Sequence, residues 1–343
     1  MDLKHVWYEK IKKCLRNRYY LRKLIKKIQV TPWLMNNRLY CNIYNNRIKY
    51  MIKEPLTQIP EFINIEATNA CNAGCVMCTH SIMKRKAGFM DSRLFKKIID
   101  EISYLKNSNK TSIGLNNIGE PLMDPYIIER VKYIKGRGLK VTFYTNASLL
   151  NKESSLVLIN SGIDKIGFSL DAFMKRTYER IRRGLNFEIT LNNILQFLTL
   201  RKKLSKNRPE VIITLIKMKE NYNELRRHFI RWKSLVEDVV ISDVHDWAGR
   251  IKVNGVNSPD IAPQIKRWPC RDLWENLIIL YNGDVVPCCV DYDGEMILGN
   301  LSKDSLKKIW QGEKLQIMRQ LHLNREFNKL PVCKNCLKHR SWW

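Results

Sequence analysis

The chain has 343 residues, with 60 Lys+Arg against 33 Asp+Glu and ten cysteines, so its formal charge is +27. A 45% hydrophobic content with 10% aromatics excludes wholesale disorder. No apolar run approaches the ~20 residues of a membrane-spanning helix, and the first residues lack the apolar core of a signal peptide. The expected compartment is therefore the cytoplasm, where closely spaced cysteines serve more often as metal ligands than as disulfides.

In chain order, residues 1–60 carry 14 Lys+Arg and 3 Asp+Glu, a net of +11, against +16 over the remaining 283. Leu3, Val6, Trp7, Ile11, Leu15, Leu24, Ile25 and Ile28 recur at helical spacing between Lys and Arg. That pattern describes a basic amphipathic helix, suited either to packing on the main domain or to peripheral docking on an anionic membrane. A hairpin follows, with Arg38–Ile43 and Arg47–Ile52 flanking Tyr44-Asn45-Asn46. Residues 1–58 thus read as an N-terminal extension.

From residue 59 the rhythm changes. Short β-rich runs at Ile63–Thr68, Ser112–Asn116, Lys140–Thr145, Lys165–Ser169, Val211–Lys217 and Val239–Val244 alternate with helical stretches. The helices are expected at Ser92–Leu105, Asp124–Lys135, Lys152–Ser161, Lys175–Arg183, Leu191–Leu204 and Asn223–Leu235. Six βα units imply an α/β fold with a parallel sheet, a partial (β/α)6 TIM-like barrel over 59–248. Chemistry then belongs at the C-terminal ends of the strands. Ala248–Pro269 is loop-rich, and 249–343 reads as a smaller C-terminal module.

Cys71, Cys75 and Cys78 follow the first strand in a C-x3-C-x2-C spacing. Three thiolates on one loop can leave one iron of a [4Fe–4S] cube without a protein ligand, the open position that metal chemistry needs. Spacing alone also allows a zinc ion that borrows His80. The C-terminal module holds Cys270, Cys288, Cys289, Cys333 and Cys336. Cys270 and Cys288 flank a hairpin whose turn is Asn282-Gly283, and Cys333 and Cys336 form a C-x2-C. Cys270, Cys288, Cys333 and Cys336 make four ligands, enough for a closed [4Fe–4S] cluster or a zinc knuckle. Cys14, Cys41 and Cys289 stay unassigned.

Placed after the first strand of a partial barrel, C-x3-C-x2-C resembles the signature of the radical SAM superfamily. Asn117-Ile118-Gly119-Glu120-Pro121 looks like that family's Gly-Glu-Pro segment, and Thr145-Asn146, Ser169-Leu170-Asp171 and Arg182 follow at or near later strand ends. The resemblance implies that Gly119, Glu120, Pro121, Asn146, Ser169, Asp171 and Arg182 contact S-adenosyl-L-methionine. Met77 stands where the family usually has an aromatic residue. Residues 270–336, with Gly299-Asn300-Leu301 and Ile309-Trp310, resemble the SPASM/twitch auxiliary domains. Only seven residues, none of them cysteine, follow Cys336. The resemblance therefore implies one auxiliary [4Fe–4S] cluster, as in 2-deoxy-scyllo-inosamine dehydrogenase-like members.

The implied activity is an oxidoreductase. A 5′-deoxyadenosyl radical would take a hydrogen atom from a sugar, cyclitol or glycan precursor, oxidising it or, with a donor such as Cys289, epimerising it, with a flavodoxin or ferredoxin-type reductant as partner. A ketone product also needs a base. His245 and Asp246 follow the sixth strand, His245 being the first choice for its strand-end position, and His80 and Asp291 are further candidates. The competing readings are peptide maturation, RNA modification and a non-catalytic iron–sulfur or zinc-binding partner protein. No nucleic-acid motif accompanies the positive charge, so nucleic acid is not an expected partner.

Overall fold

The computed structural model describes residues 59–105, 108–251 and 269–336. The expected N-terminal helix and hairpin, Cys14, Cys41 and most of the 248–269 linker lie outside the described residues.

Strand β1 (Phe62–Ile65) opens the barrel and is followed by the short β2 (Gly74–Cys75) and helix α1 (Ser92–Tyr104). Then come β3 (Ser112–Gly114), α2 (Ile127–Gly136), β4 (Lys140–Thr145), α3 (Lys152–Asn160), β5 (Lys165–Ser169) and α4 (Lys175–Ile181). After β6 (Arg182–Arg183) follow α5 (Phe187–Lys203), β7 (Glu210–Lys217), α6 (Leu225–Trp232) and β8 (Asp238–Asp243). All six expected strands and all six expected helices are present, two of the helices following β5 and none following β8 among the described residues up to 251. Strands β1, β3, β4, β5, β7 and β8 lie side by side in that order, every pair parallel. Ile63, Ile65, Ile113, Val141, Phe143, Ile166, Phe168, Val211 and Ile213 are all within 1% of complete burial, as strands covered on both faces require.

Capping explains several boundaries. The Asp91 carboxylate accepts the N–H groups of Arg93 and Leu94 at the start of α1. The Asn186 side chain accepts the Ile189 N–H, so α5 begins four residues before the expected Leu191. The helix expected over Lys175–Arg183 stops at Ile181 because Arg182 and Arg183 pair antiparallel with Cys75 and Gly74 as the β2–β6 ribbon.

The C-terminal region adds α7 (Asp272–Glu275), β9 (Asn276–Ile279), β10 (Asp284–Val286), β11 (Gly299–Asn300), α8 (Leu306–Trp310) and α9 (Glu313–Leu323). The expected hairpin is β9–β10, turning at Gly283 with φ +88°. It does not stand apart from the barrel sheet. β9 pairs parallel with β1 over Phe62–Ile65, and β10 and β11 extend the same sheet antiparallel. Glu66, 0% exposed, continues from β1, and its N–H donates to the Ile279 carbonyl at 2.8 Å. The Arg85 guanidinium grips the Glu66 carboxylate in a fork at 2.7 and 2.8 Å, while its Nε donates to the Tyr292 carbonyl at 2.6 Å. Asn117 Nδ2 donates to the same carboxylate at 2.9 Å. One buried anion therefore joins β1, β3, the loop after the first cysteines and the C-terminal region.

Helix α6 seals the other end of the sheet with Trp232 and His228, which is 0% exposed. Neither His228 ring nitrogen has a well-aligned partner. Burial pushes its pKa down to about 4, with the Ala172 backbone opposing and Arg231 assisting. The unfolded chain regains a value near 6.5 and so binds this proton first. Stability contributed by a neutral His228 is complete above about pH 6.5 and falls as the pH drops toward about 4. The urea midpoint of wild type should fall between pH 7 and pH 5, and His228→Phe should flatten part of that slope. An equal slope in both proteins would contradict this assignment.

Candidate active site

Cys71, Cys75 and Cys78 sit on the loop that leaves β1, at the C-terminal mouth of the barrel. The β2–β6 ribbon holds this loop against the chain after β5, and the Val76 N–H donates to the Ile181 carbonyl at 3.0 Å. Cys75 is buried, and Cys71 and Cys78 are half-buried. Burial pushes the Cys71 thiol up to about 12 and raises Cys75 and Cys78 as well. Iron would overturn that preference, since a coordinating thiol gives up its proton. Donors aimed at the sulfurs are already in place. Arg182 Nη1 lies 3.6 Å from Cys75 Sγ, and the His80 N–H lies 3.5 Å from Cys78 Sγ. His80 Nε2 is 3.1 Å from the Asn69 carbonyl, so its ring braces the loop.

Gly119 brings the next segment against this loop. Its φ is +134°, and a Cβ there would lie 2.5 Å from the Thr68 carbonyl oxygen and 2.9 Å from Asn69 Cα. Only glycine fits that approach. Beside it, the Glu120 N–H donates to the Ala70 carbonyl at 2.8 Å. The Glu120 carboxylate turns inward, where it accepts the Thr145 hydroxyl at 2.5 Å, the Asn146 N–H at 2.7 Å and the Leu122 N–H at 3.1 Å. Burial raises its pKa against those donors. Pro121 starts a short 3-10 turn and is buried. Asn146 Nδ2 donates to Asn72 Oδ1 at 2.9 Å, which ties the end of β4 to the cysteine loop.

The remaining expected contacts fall into two groups. Asp171, 0% exposed, accepts Arg182 Nε at 2.6 Å and the Ile216 N–H at 2.7 Å, one on each oxygen. This pair aims Arg182 at Cys75. Ser169 is half-buried at the end of β5, 3.4 Å from Thr214 Oγ1. Beyond β8, His245 Nδ1 accepts the Trp247 N–H at 2.8 Å, and Trp247 Nε1 donates to the Met77 carbonyl at 2.9 Å. Asp246 is 6% exposed and its Oδ2 is buried without a hydrogen-bond partner. Trp247 also meets Tyr292 edge-on at 6.0 Å. By contrast, Asp291 spends its two oxygens on the Glu295 and Met296 N–H groups at 2.7 and 2.9 Å and shapes a turn.

In the C-terminal set, Cys288 and Cys333 are buried, and Cys270 and Cys336 are half-buried. The Cys336 N–H donates to the Cys333 carbonyl at 3.1 Å. Cys289 packs against Ile278, Leu280 and Val286 of the hairpin. His322, absent from the sequence reading, bridges Cys270 and Cys333; it stands 11 residues before Cys333 with no spacing pattern that pairs it with either cysteine. Glu66 and Arg85 were missed for the same reason.

Among the described residues, no three His, Cys, Asp or Glu side chains are arranged to hold a single metal ion. A tetrahedral zinc would draw its sulfurs to within about 3.8 Å of one another. A cube spreads them, because each thiolate takes its own iron. Buried thiols with N–H donors on two sulfurs, beside a glycine cradle, fit an iron–sulfur cube. The described cavities of 710 and 580 Å³ lie among the outer helices, lined by residues such as Phe95 and Tyr133 or Leu198 and Arg201, away from these loops.

Arg182→Met should strip Cys75 of its donor and leave Asp171 buried without its cation. The expected cost is roughly 3–5 kcal/mol. Anaerobic reconstitution should then show lower iron at the first cysteine set, and wild-type iron content with wild-type stability would refute the role.

The Radical SAM superfamily profile matches residues 65–229, and the SPASM iron–sulfur cluster-binding domain matches 270–337. The tungsten-containing aldehyde ferredoxin oxidoreductase cofactor-modifying protein of Pyrococcus furiosus is 25% identical over 80% of this chain and 87% of its own. The S-adenosyl-L-methionine-dependent 2-deoxy-scyllo-inosamine dehydrogenase of Niallia circulans is 24% identical over 80% and 91%. SuiB of Streptococcus suis, solved with its precursor peptide SuiA, shares the fold with a TM-score of 0.65 at 14% identity, over 88% of this chain and 76% of SuiB. The chain therefore carries a radical SAM domain, with its [4Fe–4S] cluster and S-adenosyl-L-methionine, followed by a SPASM-type iron–sulfur domain.

Proposed function

We propose that this protein is a radical SAM oxidoreductase that converts a secondary alcohol of a sugar, cyclitol or glycan precursor into a ketone. The observation that carries this reading is the β1–β9 pairing, which packs a second cysteine set beside the barrel whose mouth holds the first. Similarity along most of both chains to a cyclitol dehydrogenase supports it.

When bound, the first cluster supplies one electron that splits S-adenosylmethionine into methionine and a 5′-deoxyadenosyl radical, and the auxiliary cluster accepts one electron. Ketone formation removes a hydrogen atom from the carbinol carbon, a proton from its hydroxyl and one electron; the bound cofactors would take the atom and the electron, and a base of this chain would take the proton. The proton and electrons balance. Cys71, Cys75 and Cys78 are the proposed ligands of the first cluster; Cys270, Cys288, Cys333 and Cys336 are those of the second. Gly119 and Pro121 shape the S-adenosylmethionine cradle, which Glu120 and Asn146 brace from behind and Ser169 borders. Asp171 and Arg182 balance charge at Cys75.

Asp246 is the better base of the two first candidates. His245 Nδ1 already accepts a backbone N–H, which places the neutral ring's proton on Nε2 and makes that atom a donor. Asp246 keeps a buried oxygen for an incoming hydroxyl. Peptide maturation is the second reading, favoured by the peptide-bound neighbour.

Reconstituted protein should hold about eight iron atoms, two cubes, per chain. With dithionite and S-adenosylmethionine it should release 5′-deoxyadenosine, and Cys78→Ala should release none. Carbinol-deuterated cyclitols and sugars should pass deuterium into that product; transfer only from a labelled peptide would favour the second reading. Asp246→Asn should keep 5′-deoxyadenosine formation while ketone output falls by roughly 10²–10⁴. Unchanged ketone output would remove Asp246 as the base.

A further inference from the structure

Helix α9 presents one of its faces to the second cysteine set. His322 stands there 2% exposed, with Phe327 edge-on at 4.9 Å. Its Nδ1 accepts the Cys270 N–H at 3.1 Å, and its Nε2 lies 3.4 Å from Cys333 Sγ. The first contact decides the second. A backbone N–H can only donate, so Nδ1 carries the lone pair and the proton of the neutral ring is on Nε2, directed at sulfur. The ring therefore links two proposed ligands that lie 63 residues apart in the chain.

Resting on the reading that these four cysteines hold the auxiliary cluster, we infer that His322 is a positioning residue that donates a hydrogen bond to the Cys333 thiolate and raises the cluster's reduction potential. Reduction adds negative charge, which spreads onto the thiolates. An N–H···S bond stabilises the reduced form more than the oxidised one. Burial strengthens the effect by keeping competing water away. Arg319, one turn earlier on α9, anchors the same helix. It is 3% exposed, donates to the Leu273 and Trp310 carbonyls at 2.9 and 3.2 Å, and stacks on the Trp310 ring at 4.4 Å. It forms no ion pair with a carboxylate among the described residues. A raised potential suits a site that must take an electron from a substrate radical.

The test uses the full chain carrying Cys71→Ala, Cys75→Ala and Cys78→Ala, so that only the auxiliary cluster is reconstituted. EPR-monitored redox titration then compares His322 with His322→Leu and His322→Gln. Losing a hydrogen bond to a charged group should weaken reduction at least about tenfold, or about 59 mV for one electron. His322→Gln retains an N–H donor and should recover most of that shift. An intact signal with an unchanged midpoint in His322→Leu overturns the inference. If His322→Leu takes up no iron, pulsed EPR on the reduced cluster with ¹⁵N-histidine decides instead. A nitrogen coupling sustains the bond and its absence refutes it. If the triple variant itself binds no iron, the auxiliary-cluster reading falls and takes this inference with it.

Discussion

The pairing of β9 with β1 is the constraint on which the site depends. A six-strand parallel sheet leaves β1 as an edge, with a row of unsatisfied backbone groups. The chain covers that edge with a strand drawn from more than two hundred residues away. The same strand leads into the hairpin that ends at Cys288 and Cys289. Covering the edge and positioning the second cysteine set are therefore one structural event. Glu66 makes the junction specific. A carboxylate buried at the end of β1 demands compensation; Arg85 and Asn117 supply it from the barrel, and the C-terminal region adds the Tyr281 N–H and fixes Arg85 through the Tyr292 carbonyl. Separation of the two parts would remove the Tyr281 donor and the Tyr292 acceptor that hold this ion pair in place.

The first cysteine loop obeys similar logic at shorter range. An eleven-residue loop has no regular structure of its own that would aim three sulfurs. It gains register from the β2–β6 ribbon, approach from Gly119 and a lateral tie from Asn72 to Asn146. Glu120 and Asp171 both direct their oxygens inward, to backbone N–H groups and to Thr145 or Arg182. Their acidic character secures the loops around the cofactor position more directly than it could bind the cofactor.

Much of this was legible in the sequence. Alternation of β-rich and helical runs defined six βα units because both signals are local, and the cysteine spacings are local too. Gly119 and Asn146 could be placed because they follow strands. What escaped depends on pairing across the chain. Nothing near Asn276–Ile279 says that it will lie parallel to β1 rather than form a separate hairpin. Arg182 and Arg183 look like the end of a helix until Gly74 and Cys75 are there to pair with them. His322 has no neighbour in sequence that marks it, since both its partners are supplied by the fold.

These long-range contacts also put the opening charge excess in proportion. An iron–sulfur cube with its thiolates is anionic, and burying it needs positive charge or donors nearby. Among the described residues, few Lys and Arg side chains are in a position to do that. Arg182 serves Cys75, and Arg319 stands on the helix that carries His322 to Cys333. Both are held by named acceptors, and Arg319 is buried. Local field at the cysteines is set by a cation fixed within hydrogen-bond reach, because solvent screens the exposed ones within about 10 Å. Net charge thus says little about the electrochemistry of this chain, and the placement of one arginine and one histidine says much more.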